Sequence, residues 1–249
     1  MEIKAVKLYE DGFMTEYFAL GGGQDSKGWD DSRTFPSCLQ NFLIDTGDEI
    51  ILVDTGYAKD MPYADPVPGQ QIYPGKRILD YVSALEALGY RADQVTKILL
   101  THKHPDHSGA LSEFPHAKIY VDRADADALG LEGPNVVLLD FADGPYYNFP
   151  RSQKIAEGIR FLPAYGHTLG NSIVVAEADD LFYMLHGDIT YTDAALHQNK
   201  LSIVFEDLDA AWQSLAAVRM FIEEHPTVYL STHTPEALEH LERREIMEM

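Results

Sequence analysis

Residues 101–109 read THKHPDHSG and directly follow an apolar run at residues 95–100. The apolar run predicts a short buried strand, and the sequence from Ser108 onward predicts a helix that starts just after the loop. The loop between them carries four potential metal ligands within six residues: His102, His104, Asp106 and His107. We therefore expect these side chains at the edge of a sheet, where residues from several loops can converge.

The spacing of these ligands predicts a metal site. Alternate residues of an extended backbone face the same side, so His102 and His104 can bind one ion, while Asp106 and His107 can turn toward a second. Three imidazoles and a carboxylate suit Zn, Fe, Mn or Co better than Ca or Mg, which prefer oxygen ligands. The alternative, a solvated polar loop, requires a chance match expected in about one in a thousand such chains.

Composition limits the fold and the partners. The chain has 249 residues, of which 45% are hydrophobic, enough for one α/β domain or two small ones. Its formal net charge of -21 argues against a nucleic-acid partner, because phosphate binding needs a basic surface. The single cysteine, Cys38, fits a reducing compartment, and no apolar run predicts a leader or a membrane span. We expect a cytoplasmic protein that binds neither nucleic acid nor membranes.

Apolar patterns predict two groups of strands with helices between and after them. Strands are predicted near residues 3–8, 13–20, 39–45, 49–54, 95–100, 118–121, 136–139, 159–164, 172–176, 181–185 and 227–230. Helices are predicted at residues 78–88, 123–129, 210–223 and 235–244. Residues 13–20 are interpreted as the hairpin partner of the first strand. The pattern favours two sheets packed face to face with helices outside, in a single domain over residues 1–249.

Three further polar residues directly follow predicted strands. His167 lies in YGHTLGNS, Asp188 in HGDITY and His233 in STHTPE. A lone histidine is more often structural, but three such residues downstream of the 101–109 loop indicate ligands that meet at one edge. Asp54 ends the strand at 49–54 and is either a turn residue or a partner that orients a ligand histidine.

The sequence resembles the metallo-β-lactamase superfamily in the motifs ILVDTG, THKHPDHSGA, GHTLGNS, HGD and STH, which occur in family order. The resemblance implies an α/β fold, the four-layer αββα sandwich, with a two-metal site between the sheet edges and with Asp54 behind the ligands. It implies these ligand sets: His102, His104 and His167 for one ion, Asp106, His107 and His233 for the other, and Asp188 bridging both. The chain departs from the family at Asn171, often His, and at Leu169, often Pro, and neither is a direct ligand.

Within the superfamily the chain is most similar to the N-acyl homoserine lactone lactonases, which are quorum-quenching enzymes. Asp188 is not the Cys ligand of many β-lactamases, and His104 is not the Glu of the flavodiiron branch. Tyr191 follows Asp188 by three residues, as the active-site tyrosine of the lactonases does, and is otherwise a packing residue. His186 is unusual for the family and either reaches the pocket or packs in the core.

The resemblance implies a dinuclear metal-dependent hydrolase that opens the lactone ring through a metal-bridging hydroxide, formed because two metals lower the pKa of water toward about 7. Tyr191 would donate a hydrogen bond to the developing oxyanion, and Asp106 would carry the proton to the leaving alkoxide. The alternatives are a related hydrolase acting on another ester, thioester or phosphoester, and a non-catalytic metal-binding protein of the same fold.

A small-molecule substrate with an apolar acyl chain would need an apolar groove. The candidate lining residues are Phe13, Met14, Phe18, Trp29, Phe35 and the segments 61–73 and 146–149. Each of them can instead belong to a dimer contact or to the core, which is the safer assignment for any single residue. A monomer and a homodimer both remain open.

Overall fold

Two β-sheets organise the computed structural model, which describes residues 1–62 and 64–249. Tyr63, within the predicted groove segment 61–73, lies outside the described residues. The strands are β1 (Glu2–Thr15), β2 (Thr34–Asp45), β3 (Ile50–Val53), β4 (Ile72–Tyr73), β5 (Lys76–Arg77), β6 (Val95–Leu99), β7 (Lys118–Asp122), β8 (Val136–Leu139), β9 (Gln153–Ala156), β10 (Ile159–Pro163), β11 (Ser172–Ala178), β12 (Leu181–His186) and β13 (Thr227–Ser231). The helices are α1 (Glu16–Leu20), α2 (Tyr81–Ala87), α3 (Pro105–Ser108), α4 (Arg123–Leu129), α5 (Asp193–His197), α6 (Leu208–Glu224) and α7 (Glu236–Arg243).

The first sheet has the strand order β4-β1-β2-β3-β6-β7-β8, with β5 also paired to β1. Its strands β1, β2 and β3 are antiparallel, whereas β3, β6, β7 and β8 are parallel. The second sheet has the order β13-β12-β11-β10-β9 and is antiparallel except for the parallel pair β12 and β13.

The core lies between the two sheets and on both of their outer faces. Alternate side chains of each sheet point into the central layer, which includes Phe42, Ile44, Val53, Leu99, Phe161, Val174, Leu185 and Leu230. Helix α2 covers the outer face of the first sheet through Tyr81 and Leu85, and α6 covers that of the second through Leu215 and Val218. The predicted αββα sandwich is confirmed.

The predicted hairpin partner at residues 13–20 is wrong. Phe13 to Thr15 continue β1, whose register has two irregularities, and the strand that pairs with β1 along most of its length is β2. The chain then turns into α1 because the Thr15 hydroxyl caps the helix, accepting the backbone N–H of Phe18 at 3.1 Å. Helix α2 also starts later than predicted, at Tyr81, where the Asp80 side chain caps it.

One edge of the sandwich collects the carboxyl ends of five strands. Strands β3 and β6 run parallel, as do β12 and β13, and β10 runs parallel to β12 because both are antiparallel to β11. The Ser172 N–H donates to the Thr101 carbonyl at 2.9 Å and joins the two sheets at this edge. Among residues 1–62 and 64–249, no helix has both the length and the apolar character needed to cross a membrane.

Candidate dinuclear metal centre

The loop after β6 presents its ligands from two backbone conformations. His102 and His104 precede α3, and His104 is extended, with φ -61° and ψ 150°. Pro105 occupies the first helical position, where its missing N–H costs nothing. The helix therefore begins before Asp106 and His107, rather than just after the ligands as the sequence predicts.

Four residues form a first ligand group: His102, His104, His167 and Asp188. Their potential ligand atoms all lie within 4.8 Å of one another. The Nδ1 atom of His104 lies 3.0 Å from His102 Nε2 and 2.9 Å from His167 Nε2. The Oδ2 atom of Asp188 lies 3.3 Å from His167 Nε2. Side chains from the ends of β6, β10 and β12 thus meet at one point.

A second ligand group lies beside the first and consists of Asp106, His107 and His233. The Nε2 atom of His233 lies 3.3 Å from Asp106 Oδ2, and that of His107 lies 3.8 Å from the same oxygen. The Oδ1 atom of Asp188 lies 3.4 Å from His107 Nε2 and 3.3 Å from His233 Nε2. Asp188 therefore faces the first group with one carboxylate oxygen and the second group with the other.

The buried polar atoms of the centre fit metal ions. His107 Nε2, His233 Nε2 and Asp188 Oδ1 are buried and have no hydrogen-bond partner among the described residues. Each such atom costs about 1–3 kcal/mol unless another group satisfies it. All three face one point, and imidazole nitrogens with carboxylate oxygens are the donors that Zn and other first-row transition metals accept. The two groups and their shared carboxylate fit a dinuclear metal site.

Partners behind the ligands fix the orientation of the imidazoles. His107 Nδ1 lies 2.7 Å from Asp54 Oδ2, and Asp54 also accepts the backbone N–H and the hydroxyl of Thr101, each at 2.7 Å. His167 Nδ1 and His233 Nδ1 lie 3.0 Å and 3.3 Å from the carbonyl oxygens of Val204 and Cys38. Donation by Nδ1–H leaves Nε2 free to bind a metal. Asp54 is thus not an ordinary turn residue.

The pKa shifts divide four imidazoles of the centre into two pairs. Burial lowers the pKa of His102 well below its ordinary value and that of His104 to about 4, so both are neutral at pH 7. Burial also lowers the pKa of His107 and His233, but nearby carboxylates, chiefly Asp188, outweigh it. The pKa of His107 is raised well above its ordinary value and that of His233 to about 9.

Tyr191 lies directly over the shared carboxylate. Its hydroxyl donates a hydrogen bond to Asp188 Oδ2 at 2.6 Å, and its ring stacks on that of His233 with centroids 4.9 Å apart. Burial, followed by the charge of Asp188, raises the pKa of Tyr191 well above its ordinary value. The phenol therefore stays protonated and can donate a hydrogen bond to an anionic oxygen.

His186 belongs to neither ligand group. Its ring stacks on Tyr229 with centroids 4.2 Å apart, and burial lowers its pKa to about 3. Of the two roles that the sequence leaves open for His186, the side chain therefore has the packing role, as a neutral ring in the core.

Two residues that support the ligand side chains are not identified as functional by the sequence analysis. Thr101 binds Asp54, as described above, and Asp125 of α4 accepts hydrogen bonds from Lys103 and Thr168. Asp125 is one of three Asp residues within residues 122–127, so local sequence gives no signal that it differs from the others.

The predicted groove residues divide between two regions. Met14 and Phe18 form an apolar cluster with Tyr191, whose partly exposed rim consists of Trp29, Phe35, Ile72, Ile203 and Val204. We call this set the N-terminal apolar cluster. Segment 146–149 does not contribute, because Tyr146 binds Glu177 at the far end of β11 and Phe149 packs on Phe221 of α6. That end of β11 lies opposite the edge where Ser172 meets Thr101.

Residues 40–233 match the sequence profile of the Metallo-beta-lactamase superfamily. The chain belongs to this superfamily. A probable metallo-hydrolase of Mycobacterium tuberculosis is 27% identical over 60% of this chain, which spans only 56% of that relative's length. An N-acyl homoserine lactonase of Bacillus cereus is 22% identical over 76% of this chain and 78% of its own. A variant of Bacillus thuringiensis AiiA, solved with N-decanoyl-L-homoserine at its active site, superposes with a TM-score of 0.71 at 19% identity and 96% coverage of both chains.

The arrangement of these side chains is that of a candidate dinuclear metal centre. Two ligand groups share one carboxylate, and a protonated phenol lies beside that carboxylate. Such a centre can activate water, polarise an acyl oxygen and donate a hydrogen bond to the charge that develops on it.

Proposed function

We propose that this chain is a dinuclear metal-dependent hydrolase that opens the lactone ring of N-acyl homoserine lactones. The observation that carries the proposal is the Tyr191 hydroxyl, which meets the shared carboxylate of Asp188 on one side and borders the N-terminal apolar cluster on the other. The likeness to the Bacillus lactonase and to AiiA with an acyl homoserine supports the same substrate class.

The residues that would hold the metals are the two ligand groups, with Asp188 shared between them. Zinc is the proposed metal because its four-coordinate sites use His and Asp, while Fe, Mn and Co accept the same donors. When bound, the pair of ions supplies a strong nucleophile from water at neutral pH and polarises the lactone carbonyl.

Tyr191 would stabilise the charge that develops on the carbonyl oxygen. Its raised pKa keeps the proton on the phenol, and its buried position strengthens the hydrogen bond it donates. The oxygen that accepts the hydrogen bond of Tyr191, Asp188 Oδ2, also faces the first ligand group. In the reaction the Tyr191 hydroxyl would turn from Asp188, one of the residues that would hold the metals, to the carbonyl oxygen of the substrate.

Asp106 would carry the proton to the leaving alkoxide. Its side chain is 16% exposed, whereas that of Asp188 is 1% exposed. Of the two carboxylates at the centre, Asp106 is therefore the one that reaches toward the solvent side, where a substrate enters. The imidazole of His107 lowers the pKa of Asp106 against the effect of burial and keeps it a carboxylate that can accept a proton.

The N-terminal apolar cluster would receive the acyl chain. The rings of Phe18 and Tyr191 form a T-shaped contact with centroids 4.9 Å apart, so the cluster begins directly at the proposed oxyanion donor. Val204 belongs to the rim of the cluster, and its carbonyl also accepts a hydrogen bond from the His167 ring. An acyl chain on this rim would lie beside a lactone held at the metals.

A ring-opening assay that follows acid release tests the proposal. Each methylene buried on binding contributes about 0.8 kcal/mol, so we expect kcat/KM for N-decanoyl homoserine lactone to exceed that for γ-butyrolactone by more than about tenfold. Similar values for the two lactones, with faster turnover of a thioester or phosphoester, would instead identify a related hydrolase. A metal-loaded protein that hydrolyses none of these substrates would be a metal-binding protein only.

A further inference from the structure

A buried carboxylate from α4 joins the two loops that supply the first ligand group. The Asp125 side chain is fully buried, and its Oδ2 atom accepts the Lys103 N–H at 3.0 Å and the Thr168 hydroxyl at 2.6 Å. Lys103 lies between His102 and His104, and Thr168 directly follows His167. One oxygen atom thus holds both loops at the positions next to their ligands.

The loop at residues 167–170 packs directly on α4. A Cβ atom placed on Gly170 would lie 2.8 Å from Asp125 Cγ and 2.9 Å from the Asp125 backbone nitrogen. A side chain at position 170 would therefore push the loop away from the helix. The close packing fixes the distance between His167 and the carboxylate that also holds Lys103.

The metal ligands that these loops carry meet across the same gap. His104 Nδ1 and His167 Nε2 lie 2.9 Å apart although 63 residues separate them in the chain. A buried hydrogen bond between loops is worth more than an exposed one, because water does not compete for it. The second ligand group draws on α3 and on the end of β13, which Asp125 does not join.

We propose that Asp125 is a positioning residue for the first metal, which rests on the proposed metal centre. It holds His102 and His104 on one loop against His167 on the other, and the affinity of this one site depends on it. The second metal, at Asp106, His107 and His233, is independent of Asp125.

The chain contains a matched control on the outside of the same two loops. Glu206 binds Lys103 Nζ at 2.6 Å and accepts the Leu169 N–H at 2.8 Å. Its side chain is 35% exposed, and exposed ion pairs contribute little because water and salt screen them. Removal of Glu206 breaks a tie between the same loops without loss of the buried carboxylate.

Zinc titration of the chelator-treated protein against a competing metal indicator tests the proposal and does not depend on hydrolysis. We expect Asp125→Ala to weaken one of the two zinc sites by about 10–100-fold and to leave the other within about threefold. Asp125→Asn should lose less affinity at this site than Asp125→Ala, because its carbonyl oxygen can accept both hydrogen bonds, although its amide nitrogen would replace the oxygen that faces Lys103 Nζ at 4.0 Å. Glu206→Ala should keep the affinity of both sites within about threefold of the wild-type values.

The affected site is identified with His104→Ala, which removes a ligand of the first group. Asp125→Ala in the His104→Ala background should cause no further loss at the remaining zinc site. If Asp125→Ala does not fold, Thr168→Val removes one of the two hydrogen bonds and should weaken the same single site. Equal weakening of both sites, an unchanged titration, or an Asp125→Asn variant as weak as Asp125→Ala would overturn the proposal. A wild-type protein that binds two zinc ions but opens no lactone would refute only the proposed activity.

Discussion

The Tyr191 hydroxyl donates a hydrogen bond to Asp188 Oδ2 at 2.6 Å, and the same oxygen lies 3.3 Å from His167 Nε2. The proposed oxyanion donor is therefore positioned by the carboxylate that joins the two ligand groups. The Tyr191 ring also stacks on His233 and forms a T-shaped contact with Phe18, and these contacts help to hold the phenol at the centre. Metal binding and oxyanion stabilisation are coupled at one side chain.

Tyr191→Phe removes the hydroxyl and keeps these ring contacts. We expect kcat for lactone opening to fall by about 100–1000-fold, which corresponds to about 3 kcal/mol for one lost oxyanion donor. Zinc content should stay at the wild-type value because no ligand atom is removed. Steady-state kinetics and metal analysis of the same preparation measure both. A variant with wild-type kcat would reduce Tyr191 to a packing residue.

Asp188→Asn replaces one of the two metal-facing oxygens by an amide nitrogen, which is a poor metal ligand. We expect the variant to lose both ions together and its hydrolysis rate to fall to the background rate. Asp122→Asn is a suitable control, because Asp122 caps α4 and binds Tyr165 but joins neither ligand group. A metal-replete Asp188→Asn variant with full activity would refute the shared carboxylate.

Asp54→Asn tests the support behind His107. An amide at this position cannot accept three hydrogen bonds as the carboxylate does, so His107 loses its fixed orientation. We expect metal affinity at the second group to fall by about 10–100-fold. Metal titration gives the affinity, and a thermal melt of the metal-free variant separates this effect from general unfolding. Unchanged affinity would leave Asp54 with a role in the turn alone.

Metal uptake should depend on pH differently at the two groups. The raised pKa values of His107 and His233 mean that both carry protons at pH 7 in the metal-free protein, and an incoming ion must displace them. Affinity at the second group should therefore fall by about tenfold or more for each pH unit from 8 to 6. His102 and His104, whose pKa values are lowered, are already neutral in this range and make the first group less sensitive.

Competition with a chelator at pH 6, 7 and 8 measures the two affinities, and a pH indicator measures the protons released. As the pH falls, we expect the ion at the second ligand group to dissociate before the ion at the first. Equal pH dependence for both ions would contradict this division of the imidazoles.

The candidate ligand residues could be singled out from the sequence because most of them follow a strand whose apolar pattern is local, and the structure brings these residues together. The predicted limits of the helix at 123–129 and the strand at 136–139 match α4 and β8, since short-range periodicity and capping define both. By contrast, the sequence analysis predicts neither β9 nor α5, because the residues QKIA of β9 lack the continuous apolar run VVLL of β8 and the five residues of α5 span little more than one helical turn. The prediction of a single strand over residues 13–20 fails because the Thr15 side chain caps α1, and this one cap outweighs the strand pattern around it.

The sequence by itself determined which donor atoms are available, in which chain order, and that they lie at strand ends. Only the tertiary structure decided that Asp188 presents one oxygen to each ligand group and that Asp125 holds two distant loops with a single oxygen. The physical reason is that a periodic pattern records which side of a strand or helix is buried. The distance between two loops instead depends on strand order, sheet packing and the rotamers of side chains that are far apart in the chain.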